Sequence, residues 1–426
     1  MDEIIMIDLI DFFGKDYSFI WSDNWCIEDD GIWFVAGAID ILFHIDCEKN
    51  KVNYAIGIPT GKICTFRGHP RCLKRGDNIY CLPDKGQDIW CFHLAECVWK
   101  KIEVQNTQKV RLLCSNAWFF NNRLYIVSIG LGQIIELDLK SERIINQYNL
   151  CDKNEIELSG SLLVEHCIYI VGNYPISICK FDCLTKEIII FDLMEIEDKI
   201  QTICFDGDRF WLSGRRKKIY IWKEGQKVIT TLTNFPYNFG IYNFSGKFKN
   251  LINFKENVTD FPIFIASVNT NSYVWFIPFH ANQILYIDKK TFEIKEFLLT
   301  EEDQTEQNIK TQLLGHKYLL EYVRDSRFIG LFSLKNKWII EIDSYKLSYK
   351  VPNYKLSTDY EFQIKECIRL ESIAKLYYRD NLIVEGERLE LNNFIYGFLE
   401  KCRKDMMFKK SGNSTIGKNI YYVLRD

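Results

Sequence analysis

The chain is short of several things, and each shortage excludes a class of protein. No apolar run approaches the roughly 18 residues that a membrane-spanning helix needs, so no membrane span is expected. Positive charge is not in excess: 54 Lys and Arg stand against 57 Asp and Glu, a net charge of -3. That excludes a general nucleic-acid binder, because nonspecific affinity for polyanions comes from neutralising many phosphates at once. The opening Met1-Asp2-Glu3-Ile4 lacks the basic flank and cleavage site of a secretory leader, which points to the cytoplasm. Six histidines include no His-x-His or His-Glu-x-x-His spacing, so no metal site is expected from spacing alone. Fifteen cysteines, an odd and scattered set, read as reduced thiols, with Cys81, Cys91, Cys179 and Cys204 inside strands as small core residues.

Apolar and aromatic residues, by contrast, are plentiful, at 47% and 15% of the 426 residues, enough for a large packed core. They are also periodic. An apolar strand carrying an aromatic anchor (Trp33, Tyr80, Tyr125, Tyr169, Trp211, Trp275) is followed at a fixed interval by Asp46, His93, Asp138, Asp182, Glu224 or Asp288. A seventh, looser copy runs from Phe328 to Asp343. The first copy parses into four strands, Asn24 to Glu28, Gly31 to Ala36, Ile41 to Cys47 and Lys51 to Ile56, separated by turn residues such as Asp29-Asp30-Gly31. Most anchors recur at the ~40–50-residue step of a four-stranded propeller blade. The longer step from Trp211 to Trp275 places an insertion at about 234–260.

The fold expected is therefore all-β, a seven-bladed β-propeller of four-stranded blades over residues 1–352, with a six-bladed ring as the minority alternative. A pair of β-sandwiches would not need the same aromatic-to-acid interval in successive units. Neither the glycine doublet of kelch repeats nor the recurrent Gly-His and Trp-Asp of WD40 repeats is present. Beyond residue 352 the pattern changes. Apolar residues at three- and four-residue intervals in 361–378 and 388–404, and a short segment at 416–424, predict a small, partly helical C-terminal appendage over 353–426.

The blade text resembles that of streptogramin lyases and related bacterial seven-bladed propellers. Ile32-Trp33-Phe34, the run from Val274 to Ile284, and Ile294-Lys295-Glu296-Phe297 carry the resemblance, which extends over about 24–351. It implies the propeller fold. It further implies a site using a histidine general base, carboxylates and a magnesium ion on the channel face. His280 follows the Trp-Phe pair of the sixth copy, but Pro278 stands where the family has a carboxylate. Phe261-Pro262-Ile263 stands for the family's Pro-His step, and Gly68-His69-Pro70 matches it only in reversed order and in another blade. A base without positioning and metal-binding partners loses most of its effect.

In a propeller, the loops entering each innermost strand and those joining second and third strands open on one face around the channel. There the sequence places Arg67, His69 and Arg71 before the second blade, Lys85 within it, Arg215 and Arg216 in the fifth, and His280, Asn282 and Gln283 in the sixth. Guanidinium forks pair well with carboxylate or phosphate. The expected role is a cytoplasmic binding or interaction module for a polar or anionic ligand, whether a protein, a peptide, or an anionic small molecule or saccharide. No cofactor is expected. The alternative is a propeller enzyme, a lyase or hydrolase acting on a small polar substrate, which alone would call for a divalent metal. The acids closing the third strands read as turn caps rather than metal ligands. Gly412 to Asn419 imitates a phosphate loop but lacks both the final Ser or Thr and a preceding buried strand.

Overall fold

The structure is a computed structural model. It describes residues 7–8, 22, 24–28, 31–36, 40–46, 51–59, 68–84, 86–104, 112–150, 157–173, 175–227, 229–242, 248–249, 262–279, 281–299, 318–333, 338–351 and 355–356. The chain divides into one compact unit of Met1–Ile58 and Thr65–Ile368 and a second of Pro59–Cys64 and Arg369–Asp426. The first carries the ring. The segments 361–378, 388–404 and 416–424, where helices are expected, lie outside the described residues.

Seven four-stranded antiparallel blades follow one another along the chain. Blade 1 is Trp25–Glu28, Gly31–Ala36, Ile41–Asp46 and Lys51–Gly57; blade 2 is Arg71–Arg75, Asn78–Leu82, Asp88–His93 and Val98–Glu103. Blade 3 is Cys114–Phe120, Arg123–Ser128, Gln133–Asp138 and Arg143–Asn149; blade 4 is Glu157–Val164, Cys167–Asn173, Ser177–Asp182 and Ile188–Asp192. Blade 5 is Thr202–Phe205, Phe210–Ser213, Ile219–Trp222 and Thr230–Leu232; blade 6 is Phe264–Asn269, Tyr273–Pro278, Ile284–Asp288 and Ile294–Phe297. Blade 7 is Tyr318–Arg324, Phe328–Ser333, Trp338–Asp343 and Ser348–Lys350. The expected insertion between blades 5 and 6 holds a two-stranded pair, Ile241–Tyr242 with Phe248–Lys249.

Burial explains the strand chemistry. Second strands are covered on both faces by neighbouring blades and are predominantly apolar, as in Gly31–Ala36 and Cys167–Asn173, where every residue is buried. Fourth strands lie at the rim and are mostly exposed, as in Val98–Glu103. The apolar cores lie between blades rather than within them. Each anchor enters the cluster shared with the following blade: Trp33 with blade 2, Tyr80 with blade 3, Tyr125 with blade 4, Tyr169 with blade 5, Trp211 with blade 6 and Trp275 with blade 7.

Blade 7 keeps the rule by another route. The anchor's place in its second strand is Gly330, opposite Glu341 as Tyr125 is opposite Glu136. The aromatic comes instead from the first strand. Tyr322 pairs with Gly330, and a Cβ on Gly330 would stand 2.0 Å from the Tyr322 ring. Tyr322 Oη donates to Glu341 Oε2 at 2.7 Å. The loose seventh copy thus reflects a moved anchor: Phe328 is the residue that pairs with Asp343 at the strand end, not the one that fills the junction.

The innermost strands of blades 7 and 1 meet, with Trp25 and Tyr322 6.0 Å apart between ring centroids, so the ring closes blade on blade. Lys355–Leu356 adds in parallel to the outer edge of blade 1 at Lys51 and Val52, and Ile7–Asp8 pairs antiparallel outside it. Ile7–Asp8 therefore extends the sheet of blade 1.

Candidate functional site

The loops of the channel face are fixed by side chains that reach across blades. His69, just before the inner strand of blade 2, is 3% exposed. Its backbone N–H donates to Asp40 Oδ1 at 2.8 Å, its Nδ1 lies 3.6 Å from Asp40 Oδ2, and its Nε2 lies 3.0 Å from the Asp88 carbonyl. A carbonyl only accepts, so Nε2 carries the proton in this arrangement. Asp40 sits in the second-to-third-strand turn of blade 1 with φ 49°. Gly68 beside it has no room for a side chain, since a Cβ there would stand 2.1 Å from Asp40 Oδ2. His69 therefore joins the loops of blades 1 and 2.

Arg71 begins the inner strand of blade 2 and is half-buried. Its Nη1 donates to Asn116 Oδ1 at 3.1 Å, and Asn116 Nδ2 donates to the Ser161 carbonyl at 3.0 Å. One polar chain thus links the inner strands of blades 2, 3 and 4 beside the channel. Asn24 makes the corresponding link from blade 1, holding both the N–H and the carbonyl of Cys72.

The Arg215 to Lys218 turn is organised by Asp198, from the loop joining blades 4 and 5. The N–H groups of Arg215 and Arg216 donate to its two carboxylate oxygens at 2.9 and 3.2 Å, and Tyr220 Oη donates at 3.3 Å. Burial pushes the Asp198 carboxyl above its ordinary value against these hydrogen bonds. All four cationic residues of the turn are half-buried. Lys217 Nζ lies 5.5 Å from the ring centres of Phe235 and Phe239, over the start of the insertion, and burial lowers its pKa.

Asn282 ties blade 6 to the same insertion. Its Oδ1 accepts from the Gly240 N–H at 2.9 Å, and its Nδ2 donates to the Asn238 carbonyl at 2.9 Å. Gln283 is 5% exposed. Arg67, Lys85 and His280 lie outside the described residues. The nine candidates thus include one group at blades 1 to 3 (His69, Arg71), one at blades 4 and 5 (Arg215, Arg216) and one at blades 5 and 6 (Asn282, Gln283). Sequence reasoning missed Asp40, Asn116 and Asp198, which hold these groups; each acts on a residue of another blade, so no local spacing marks it.

On the opposite face, the acids closing the third strands cap their turns. Asp182 Oδ1 accepts from the N–H groups of Leu184 and Thr185, Asp288 Oδ1 from Lys290 and Thr291, and Asp343 Oδ1 from Tyr345 and Lys346. Donors around these carboxylates hold Asp182 and Asp288 below the usual range, and the Arg327 fork brings Asp343 down to about 2. These are turn residues, as the sequence indicated. His44 stacks on Trp33 at 4.2 Å and is part of the core.

No family's sequence profile matches the chain, and no curated protein matches it. Solved structures do. A streptogramin B lyase structure is similar at 13% identity, covering 82% of this chain and 97% of that one, with a TM-score of 0.55. A catalytically inactive virginiamycin B lyase from Staphylococcus aureus, with quinupristin, is similar at 13% identity over 80% and 98%, with a TM-score of 0.51. The computationally designed Ika8 protein is similar at 8% identity over 78% and 86%, with a TM-score of 0.50. A likeness shared by two lyases and a designed protein is one of architecture. The chain is a seven-bladed β-propeller with the blade fold of streptogramin B lyases.

Proposed function

We propose that this chain is a cytoplasmic binding module that recognises an anionic peptide or protein segment on the channel face of its ring. The observation that carries this reading is the Asp198-fixed turn, which presents half-buried Arg215 and Arg216 from a backbone whose N–H groups are already engaged. Arginines on a pre-set backbone lose less freedom on meeting a carboxylate or phosphate, and the guanidinium supplies paired donors. Arg71, half-buried at the channel, adds a third cation. Every described cysteine is a free thiol and most are buried, which fits a reducing compartment. His69 is engaged by Asp40 and the Asp88 carbonyl, so it supports the binding reading better than a general-base one.

The test uses a fluorescent glutamate-rich peptide, with a lysine-rich peptide of equal length as control, against the full chain and Arg215→Ala/Arg216→Ala. Each charge-assisted hydrogen bond is worth about 1.5–3 kcal/mol. The double variant is therefore expected to bind the acidic peptide at least ~10-fold more weakly at unchanged thermal stability. Equal binding by the variant, or no preference of the wild type for the acidic peptide, overturns the proposal.

A further inference from the structure

On the face away from the candidate site, four blade junctions are closed by a residue from the third-to-fourth-strand turn of the later blade. At the junction of blades 3 and 4 this is Lys186, with φ 68°, whose Nζ lies 4.6 Å from the Tyr125 ring centre and donates to Glu136 Oε1 at 2.9 Å. At blades 5 and 6 it is Phe292, with φ 61°, its ring 5.9 Å from that of Trp211. At blades 4 and 5 it is Glu224, which accepts from Lys180 Nζ at 2.8 Å and Tyr169 Oη at 2.5 Å.

The junction of blades 2 and 3 follows the rule with a different set of receiving groups. Its closing residue is Glu142, with φ 51°. Cys91 faces it from the position opposite the anchor, where other blades carry Glu136, Lys180 or Tyr286. His93 stands where Asp138, Asp182 and Asp288 sit at their strand ends. Blade 2 thus departs from the repeat at the strand end, and at the variable position opposite the anchor it carries a thiol; both residues can ligate a borderline cation such as zinc. Glu142 Oε1 lies 3.3 Å from His93 Nε2 and 3.8 Å from Cys91 Sγ, and the three ligand atoms lie within 4.8 Å of one another.

We propose that Cys91, His93 and Glu142 form a zinc site that joins blade 2 to blade 3. Zinc bonds of about 2.3 Å to sulfur and about 2.0–2.2 Å to nitrogen and oxygen set tetrahedral edges near 3.3 Å for nitrogen to oxygen and near 3.6 Å for sulfur to oxygen. The observed separations already approach both. Lys100 Nζ pairs with Oε2 of Glu142, so the carboxylate binds the metal through Oε1 alone. Coordination uses lone pairs of Sγ, Nε2 and Oε1; the Cys91 thiol releases its proton to solvent, and the His93 proton resides on Nδ1. Cys91 is buried, whereas the His93 and Glu142 side chains are 21% and 10% exposed, which leaves a water a path to the fourth position. The site is separate from the channel-face loops, so zinc acts on the stability of the ring.

A second trio, His166, Cys167 and Asp182, has its ligand atoms equally close but lies within blade 4 and spans no junction. The experiment therefore reads a difference. Reduced, chelator-treated full chain is titrated with zinc against a chromophoric chelator, and its melting temperature is followed with and without zinc. Relative to wild type, Cys91→Ser/Glu142→Gln is expected to bind one equivalent fewer and to lose the zinc-dependent rise in melting temperature. Cobalt should give a thiolate charge-transfer band that Cys91→Ser removes or weakens. Should the double variant fail to fold, Glu142→Gln alone serves, because Glu142 lies in a surface turn; a loss of about tenfold or more in zinc affinity is expected there. Unchanged stoichiometry, affinity and melting shift in these variants would overturn the proposal.

Discussion

Blade 3 and blade 7 solve one packing problem with tyrosines from different strands. In blade 3 Tyr125 rises from the second strand and donates to Glu136 Oε1 at 2.9 Å; in blade 7 Tyr322 comes from the first strand and donates to Glu341 Oε2 at 2.7 Å. Both phenols are buried, at 1% and 5% exposure. Both glutamates also receive cations, Glu136 from Arg123 of its own blade and Lys186 of blade 4, Glu341 from Arg324 and Lys350 of blade 7. These two blades share a filled volume and a satisfied carboxylate; which strand supplies the ring differs, and where the first strand supplies it the opposing residue is glycine.

The strongest way to break this equivalence is Tyr322→Ala, which opens a junction cavity and should cost about 3–5 kcal/mol in urea unfolding, as large aromatic truncations do. Adding Gly330→Tyr to that variant returns the aromatic to the second strand, as in blade 3. At least half of the loss should be recovered, and a double variant no more stable than the single one would refute the equivalence. Next in size is Glu136→Gln, which leaves Lys186 facing a neutral amide and should cost about 2 kcal/mol. Glu136 is held down at about 2 by hydrogen bonds from Tyr148, Asn146, Lys186 and Tyr125, which outweigh its burial. A carboxyl lowered on folding stabilises above its unfolded pKa, and that stability is lost as pH falls from about 4.5 toward about 2. The variant's stability should accordingly fall less over that interval than the wild type's. The smallest effect belongs to Asp343→Asn. The amide keeps an oxygen for the turn N–H groups but loses charge against Arg327, whose Nε and Nη2 now donate to Asp343 at 2.9 and 2.6 Å. Because solvent screens this pair, the loss should be the smallest of the three, near the limit of what urea unfolding resolves.

Much of the ring was legible because its signals are local. The strands expected at 24–28, 31–36, 41–47 and 51–56 appear at Trp25–Glu28, Gly31–Ala36, Ile41–Asp46 and Lys51–Gly57, since turn residues and apolar runs act within a few positions. The capping acids were legible for the same reason. The moved anchor was not, because Gly330 gains meaning only once Tyr322 lies over it. Nor were the ties of the candidate face. Asp40 holds His69 and Asp198 holds the 215–216 turn through backbone N–H groups, which every residue possesses and no sequence pattern advertises. The Cys91, His93 and Glu142 trio escaped a search by spacing because its third member belongs to the next blade.

The left-handed turn residues Glu142, Lys186 and Phe292 carry a lesson about ancestry and design. Each is shaped to the blade before it: carboxylate against Lys100 and His93, ammonium against Glu136, ring against Trp211. Modules keyed in this way are not interchangeable. Transplanting blade 4 behind blade 2 would press one ammonium on another, so the order of blades is written into single residues, and drift after duplication becomes a lock on the sequence of assembly.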